Sequence, residues 1–342
     1  MDPLARVTLG RTDLHVTRLG FGGAPLSERM EPLDEGRAAA TIEAAYSAGI
    51  RYFDTSPWYG NGKSELRLVR ILRDLPRDSF VLSTKVGRVF FRPADVVAHL
   101  RKRWGSDLLF DYRFDYTRDG ILRSYEQSLM RLGFPEVDAL LIHDLDLYHH
   151  GEGGIGERFK ELEAGGGMAA LCELKQRGEI SAIGVGVNQE GMIPRFLERF
   201  EVDFFLVAMP YTLLNQEALE PDLALCSARG VGVVIGAPFA SGVLVTGPGS
   251  EGRYGYRPAP PEVMDRVGRI DSVCRRHGVP LPAAALQFPL GHPTVAAVIP
   301  GPASPVQVGQ NLEWMRHQIA PELWAELKAE GLLRADAPTP AG

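Results

Sequence analysis

Eight times along this chain a short, mostly apolar run gives way to a segment whose apolar residues recur at helical spacing, and few folds accept that alternation. The runs are 18–23, 52–54, 80–86, 137–143, 182–187, 204–209, 231–237 and 294–299. Helical patterns over 36–48, from about Ser64, over 119–132 and over 169–176 follow the first four runs. Runs such as Ala139-Leu140-Leu141-Ile142 carry no polar face, as suits strands of a parallel sheet covered by helices. Eight such units favour a (β/α)8 TIM barrel over an open doubly wound sheet, and 342 residues hold one barrel with insertions, read as a single domain over 1–342.

Connection lengths give the barrel a direction. Links from helix to next strand are tight, at Gly49, 133–135, 177–179 and 229–230, whereas long segments follow strands: 87–118 after the third, 144–166 after the fourth and 242–260 after the seventh. In a barrel these three share the C-terminal face, where active sites sit. They are therefore expected to govern substrate choice, with the glycine-rich 242–260 moving as a lid. Residues 6–17 alternate apolar and polar around Gly10-Arg11-Thr12-Asp13, which predicts an N-terminal hairpin capping one end of the fold.

Composition mainly excludes. A formal charge of -6 leaves no basic footprint for nucleic acid, and 45% apolar content supports a large core. No apolar stretch approaches the ~18 residues of a membrane span, and the opening Asp2-Pro3 does not read as a signal peptide. Cys172, Cys226 and Cys274 are widely spaced in helical segments, so neither a disulfide framework nor a cysteine metal motif is expected, and a reducing, cytoplasmic setting is. Gly151-Glu152-Gly153-Gly154-Ile155-Gly156 matches G-x-G-x-x-G letter for letter but lacks the βαβ context, and reads as flexible loop. Asp144, Asp146, His149 and His150 match no standard metal spacing and read as a solvated loop; no metal is expected.

The chemistry gathers where three consecutive strands end. Tyr52-Phe53-Asp54 runs into Thr55-Ser56-Pro57-Trp58-Tyr59-Gly60, whose Pro57 and Gly60 enforce a loop able to swing Tyr59 over the strand end. The third strand closes on Lys85 and the fourth on His143. Each residue alone has a structural explanation, as a cap, a solvated lysine or a packed histidine. Together they form a proton-transfer unit. A phenol of pKa ~10 is a poor base at neutral pH, and an adjacent ammonium favours its phenolate. An ammonium buried there needs a carboxylate beside it, which gives Asp54 its place, and His143 is left to orient a substrate oxygen.

Asp54, Tyr59, Lys85 and His143 resemble the tetrad of the aldo-keto reductase family, NAD(P)-dependent (β/α)8 oxidoreductases. The similarity extends through Leu9-Gly10-Arg11-Thr12, Gly20-Phe21-Gly22-Gly23, Asp54-Thr55-Ser56, Ser64-Glu65, Leu132-Gly133, Leu141-Ile142-His143, Ile183-Gly184-Val185 and the stretch from Val298 to Asn311. The resemblance implies a cofactor extended across the C-terminal mouth. It assigns Asn188 to the nicotinamide carboxamide, Gly301, Ser304, Gln307, Gln310 and Asn311 to the pyrophosphate and adenosine end, and Gly22 to the cofactor's path. Where relatives stack a tyrosine on the nicotinamide this chain has Gly236, and Phe239 is the substitute nearby. Phe110-Asp111-Tyr112, Ile142-His143-Asp144 and Gly184-Val185-Gly186-Val187-Asn188-Gln189 resemble a subgroup that oxidises free aldoses such as L-fucose and D-arabinose, or pyridoxal. That implies oxidation of an anomeric carbon to a lactone, with pyridoxal oxidation, carbonyl reduction and a catalytically silent regulatory subunit as alternatives. Trp58, Phe90 and Phe110 are candidate walls for a small sugar or aldehyde. The stretch from Val298 to Asn311 contains no basic residue to meet a 2′-phosphate, so NAD is expected over NADP.

Overall fold

A computed structural model describes residues 1–28, 31–96, 108–249 and 251–341. Its frame is one parallel sheet whose eight strands pair in chain order: β1 (Phe21–Gly22), β2 (Tyr52–Asp54), β3 (Val81–Val86), β4 (Ala139–His143), β5 (Ala182–Val187), β6 (Phe204–Ala208), β7 (Gly232–Gly236) and β8 (Val295–Ile299). The ends of the sheet meet. Leu19 bridges to Val298, and the amides of Gly20 and Gly22 donate to the carbonyls of Val298 and Pro300, each at 2.9 Å, so the sheet closes into the expected (β/α)8 barrel. The glycines before and within β1 answer to this closure. A Cβ on Gly22 would stand 2.8 Å from the carbonyl oxygen of Ile299, so it is the last strand that approaches the backbone here.

Helices cover the outside, beginning with α1 (Glu35–Ser47), α2 (Lys63–Leu72) and α3 (Arg118–Leu132), each within a residue or two of its predicted start. Alternation along each strand sorts side chains into two cores. Leu140, Ile142, Phe53 and Leu82 face the helices, whereas Tyr52, Ala139, Leu141, Ala182, Phe204, Leu206 and Val234 fill the barrel. Continuing that inward series by one more step brings Asp54, Lys85 and His143 to the top of the interior. The floor is sealed by the predicted hairpin, Arg6–Thr8 paired antiparallel with His15–Thr17, whose Leu9, Leu14 and Val16 join the interior cluster.

The long segments depart from expectation. Residues 144–166 do not form an open loop: they hold α4 (Leu147–Glu163), capped by Asp146 through the His149 amide and broken at Gly151, whose φ is 65°. The stretch Gly151 to Gly156, expected as flexible loop, lies inside that helix. Ile155, Phe159 and Leu162 recur at helical spacing, all buried, and the Phe159 ring meets Phe196 at 5.1 Å. Burial of that stripe outweighs the poor helix propensity of four glycines. Segment 87–118 contains a hairpin, Arg88–Phe91 paired with Asp111–Phe114; its residues 97–107 lie outside those described. Segment 242–260 holds a short helix, Val243–Thr246, and a small hairpin joining Arg253–Tyr254 to Arg257–Pro258; residue 250 lies outside those described.

Candidate active site

Parallel register sets the site's foundations. Asp54 pairs with Ser83 across β2 and β3, and the Ser83 hydroxyl donates to Asp54 Oδ1 at 2.8 Å. Lys85 Nζ donates to the other carboxylate oxygen and to the Thr55 carbonyl, both at 2.7 Å, and neither charged side chain is more than 2% exposed. Burial pushes the Asp54 carboxyl above its ordinary value, and the Lys85 ammonium and Ser83 hydroxyl oppose that. The loop after β2 is pinned by Ser64, whose hydroxyl donates to the Gly23 carbonyl and meets the Thr55 hydroxyl, each at 2.8 Å. Tyr59 therefore comes back over the strand end. Lys85 Nζ lies 4.9 Å from the centre of its ring, and the His143 ring stands perpendicular to it at 6.2 Å.

Four residues far apart in sequence thus converge as the sequence suggested. Gly186 pairs with His143 across β4 and β5 and lies beside the imidazole. Burial holds His143 well below its ordinary pKa against the pull of Asp144, with the cations Arg88 and Lys85 adding to the effect. The ring is neutral at physiological pH.

Arg88 is the residue sequence reasoning missed. It opens the hairpin after β3 and is 2% exposed, with Nη1 3.1 Å from His143 Nδ1 and Nη2 2.6 Å from Asp144 Oδ2. Trp58, Tyr112 and Phe114 surround its guanidinium at 4.8, 5.2 and 4.5 Å from their ring centres. Trp58, expected as a pocket wall, packs edge-on to Tyr112 at 4.8 Å. Phe110 stands at the exposed end of the same hairpin, while Phe90 is buried beneath, its amide and carbonyl bonded to the Gln127 side chain. The cluster Asp144, Asp146 and His149 draws together within 4.8 Å, mostly buried instead of solvated. Arg88 and the Asn188 amide already occupy its carboxylate oxygens, at 2.6 Å to Asp144 Oδ2 and 2.8 Å to Asp144 Oδ1.

The rest of the rim has the features of a ligand cradle. Asp144, Met209, Ala237, Ala240 and Ser241, all just beyond strand ends, hold left-handed backbone with φ between 48° and 84°. Such conformations cost ~1–3 kcal/mol each and gather at ligand clamps. Asn188 follows β5, and its amide nitrogen donates to Asp144 and Asp146. Beyond β8, Ser304 caps a 12-residue helix, Pro305–Arg316, through the Gln307 amide, and Gln307 Oε1 accepts from the Ala303 amide at 2.6 Å. Gln307 and Gln310 are exposed on that helix, Asn311 is buried, and Gly301 is pressed against the Pro25 ring, where a Cβ would lie 2.6 Å away. Phe239 packs edge-on against Trp314 at 5.7 Å, partly buried on the outer core.

Comparison with known proteins agrees with this fold. The profile of the Aldo/keto reductase family matches residues 18–330. A pyridoxal 4-dehydrogenase from Microbacterium luteolum is 40% identical over 333 residues, covering 95% of this chain and 97% of its own length. A D-threo-aldose 1-dehydrogenase from a Pseudomonas species is 37% identical over 336 residues, 96% of each. Among solved structures, the holo form of aldo-keto reductase AKR11C1 from Bacillus halodurans superposes with a TM-score of 0.74 at 26% identity, covering 98% of both chains. With Asp54, Lys85 and His143 gathered where β2, β3 and β4 end and a family match that spans nearly the whole barrel, the chain belongs to the aldo/keto reductase family.

Proposed function

We propose that this oxidoreductase oxidises the anomeric carbon of a cyclic hemiacetal to a lactone, with a free aldose of the L-fucose or D-arabinose type as substrate. The observation that carries the reading is the buried Asp54 and Lys85 pair beneath the Tyr59 ring, with a neutral His143 at right angles to it. Lys85 favours the phenolate of Tyr59, which takes the proton of the C1 hydroxyl. His143 donates to the same oxygen as it becomes the lactone carbonyl. NAD(P), when bound, accepts the hydride that leaves C1. Asn188, the cradle of left-handed residues and the capped helix after β8 fit such a cofactor, since a helix N-terminus favours phosphate.

Pyridoxal is the second reading, supported by the 40% identical relative. The two substrates share chemistry, because the hydroxymethyl group beside the pyridoxal aldehyde closes it into an internal hemiacetal. NAD is the expected cofactor: no basic residue lies between Val298 and Asn311, and the exposed Gln307 on the helix after β8 is uncharged. Gln307→Arg should improve kcat/KM for NADP by roughly 5- to 20-fold through a charge-assisted contact. Three free cysteines suit a reducing cytoplasm.

The test follows reduced cofactor with L-fucose, D-arabinose, L-galactose and pyridoxal, each beside an analogue that cannot form the hemiacetal. Methyl glycosides and pyridoxal 5′-phosphate are the analogues. Turnover of a free sugar or pyridoxal, with lactone as product and the blocked partner inert, is the expected result. Reduction of simple carbonyls with no hemiacetal oxidised would overturn the proposal.

A further inference from the structure

We propose that Arg88 is a positioning residue for His143, keeping the imidazole proton on Nε2 and tying the ring, through Asp144, to Asn188. The role of His143 rests on the function proposed above; the arrangement of its protons does not.

A guanidinium has donors and no acceptor, so the 3.1 Å contact from Arg88 Nη1 forms only with an Nδ1 that carries no proton. Ser56 acts in the same direction. Its hydroxyl oxygen accepts from the Trp58 amide at 3.1 Å and lies 3.1 Å from the same Nδ1, so its hydrogen can also be given to His143. Two donors on one nitrogen leave the single proton of a neutral ring on Nε2, the atom able to donate to a substrate oxygen.

The position of Arg88 is over-determined. Its second arm holds Asp144 Oδ2 at 2.6 Å, three aromatic rings enclose the guanidinium, and its carbonyl accepts from Ser124 at 2.9 Å. Its Nε is buried with no partner among the described residues, a penalty tolerated while the two other nitrogens point at His143 and Asp144. Asp144 holds left-handed backbone at φ 53°, and its Oδ1 receives the Asn188 amide at 2.8 Å. One carboxylate thus links the arginine that orients the proton donor to the asparagine that follows β5.

The groups facing His143 are Lys85 from β3, Arg88 from the hairpin, Tyr59 from the loop after β2, Asp144 and His149 from the segment after β4, and the Tyr116 hydroxyl, which donates to the His143 carbonyl at 2.8 Å. Arg88 and Lys85 repel a second proton and Asp144 attracts one. Without the guanidinium, Asp144 loses its partner and becomes the dominant neighbour, so the imidazole should titrate nearer the physiological range.

Histidine-15N-labelled protein reads the proton positions directly, with His143→Gln assigning the resonance. The expected spectrum has a bare Nδ1 and a protonated Nε2, unchanged between pH ~5 and ~9, because a neutral imidazole is distinguishable from imidazolium by its nitrogen shifts. A protonated Nδ1 in the unaltered protein overturns the proposal with no variant needed. Arg88→Lys preserves charge and loses the two-armed fork. It should lower kcat about 10- to 100-fold, as loss of an orienting partner does elsewhere, shift the acid limb of the pH profile and leave cofactor KM within about threefold. Unchanged nitrogen shifts and pH profile in a folded Arg88→Lys protein would also overturn it. If the Nε2 proton is found and no hemiacetal is oxidised, the proposed function fails and this inference stands.

Discussion

The two ends of the barrel are built on opposite principles. At the floor, Leu9, Leu14 and Val16 of the hairpin join one buried apolar cluster with Tyr52, Ala139, Ala182 and Phe204. Even the turn serves closure: Gly10 holds φ 59° with the Asp203 carbonyl and Gly232 amide so near that a Cβ would meet both at 2.6 Å. At the mouth, Asp54, Lys85, Arg88, His143 and Asp144 are each at most 8% exposed and are held by ion pairs among themselves and by hydrogen bonds with Ser83, Thr55, Ser56 and Asn188. Buried ion pairs add little net stability relative to apolar packing, whereas breaking one is expensive. One end therefore reads as the part that keeps the barrel shut and the other as the part that uses it.

Substitutions can separate the two. Tyr59→Phe keeps the ring and removes the proton acceptor, so kcat should fall by ~10²- to 10⁴-fold, with a thermal melt that barely moves. Steady-state rates showing more than about a tenth of the original kcat would remove Tyr59 from its role. Lys85→Met should damage both properties, because it strands Asp54 without its cation at a cost of ~3–5 kcal/mol. Adding Asp54→Asn should restore much of the stability and none of the activity, which denaturant melts and rates on the same samples would resolve. If the single change leaves stability intact, the pair is not as dry as its 2.7 Å contact implies.

At the floor the pattern should invert. Leu9→Ala empties space in a fully buried cluster and should lose ~2–5 kcal/mol, with kcat/KM unchanged at a temperature where the variant is folded. A comparable loss of kcat/KM would mean that the floor transmits its packing to the mouth. The smallest effect is expected at Asp222, a buried carboxylate outside both regions. Its Oδ2 accepts from the Gly191 amide at 2.9 Å, its Oδ1 has no partner among the described residues, and burial raises its pKa to about 6. The folded chain then holds a proton that the unfolded chain has released, so this residue's contribution to stability falls as pH rises from about 4 to about 6. Asp222→Asn retains an acceptor for Gly191 and should gain about 1 kcal/mol near neutral pH after allowance for solvent screening. It should gain nothing near pH 4. Melts at the two pH values test this, and equal effects at both would refute the buried-proton account.

How much of this could be read from residues alone follows the same division. The strands were legible because burial on both faces leaves uninterrupted runs such as Ala139 to Ile142, and the hairpin because it alternates about a glycine turn. The ends of three such runs then brought Asp54, Lys85 and His143 to one rim. Helix 147–163 escaped because four glycines hide its stripe of Ile155, Phe159 and Leu162; that spacing and the Asp146 cap were the signals available. Arg88 was illegible for another reason. Its partners His143 and Asp144 lie 55 and 56 residues away, and nothing local separates a buried arginine after a strand from a solvated one. Ser304 and Gln307 were read as cofactor contacts, and their side chains also cap their own helix, a local role that the S-x-x-Q spacing itself announces.

The central claim is that hydride leaves the anomeric carbon while Tyr59 takes the hydroxyl proton. The most direct measurement uses an aldose, or the pyridoxal hemiacetal, carrying deuterium on that carbon, with mass analysis of the reduced cofactor and comparison of kcat for labelled and unlabelled substrate. Deuterium recovered in the cofactor, with a slower labelled reaction, is the predicted result. Reduced cofactor that forms without deuterium would contradict the account.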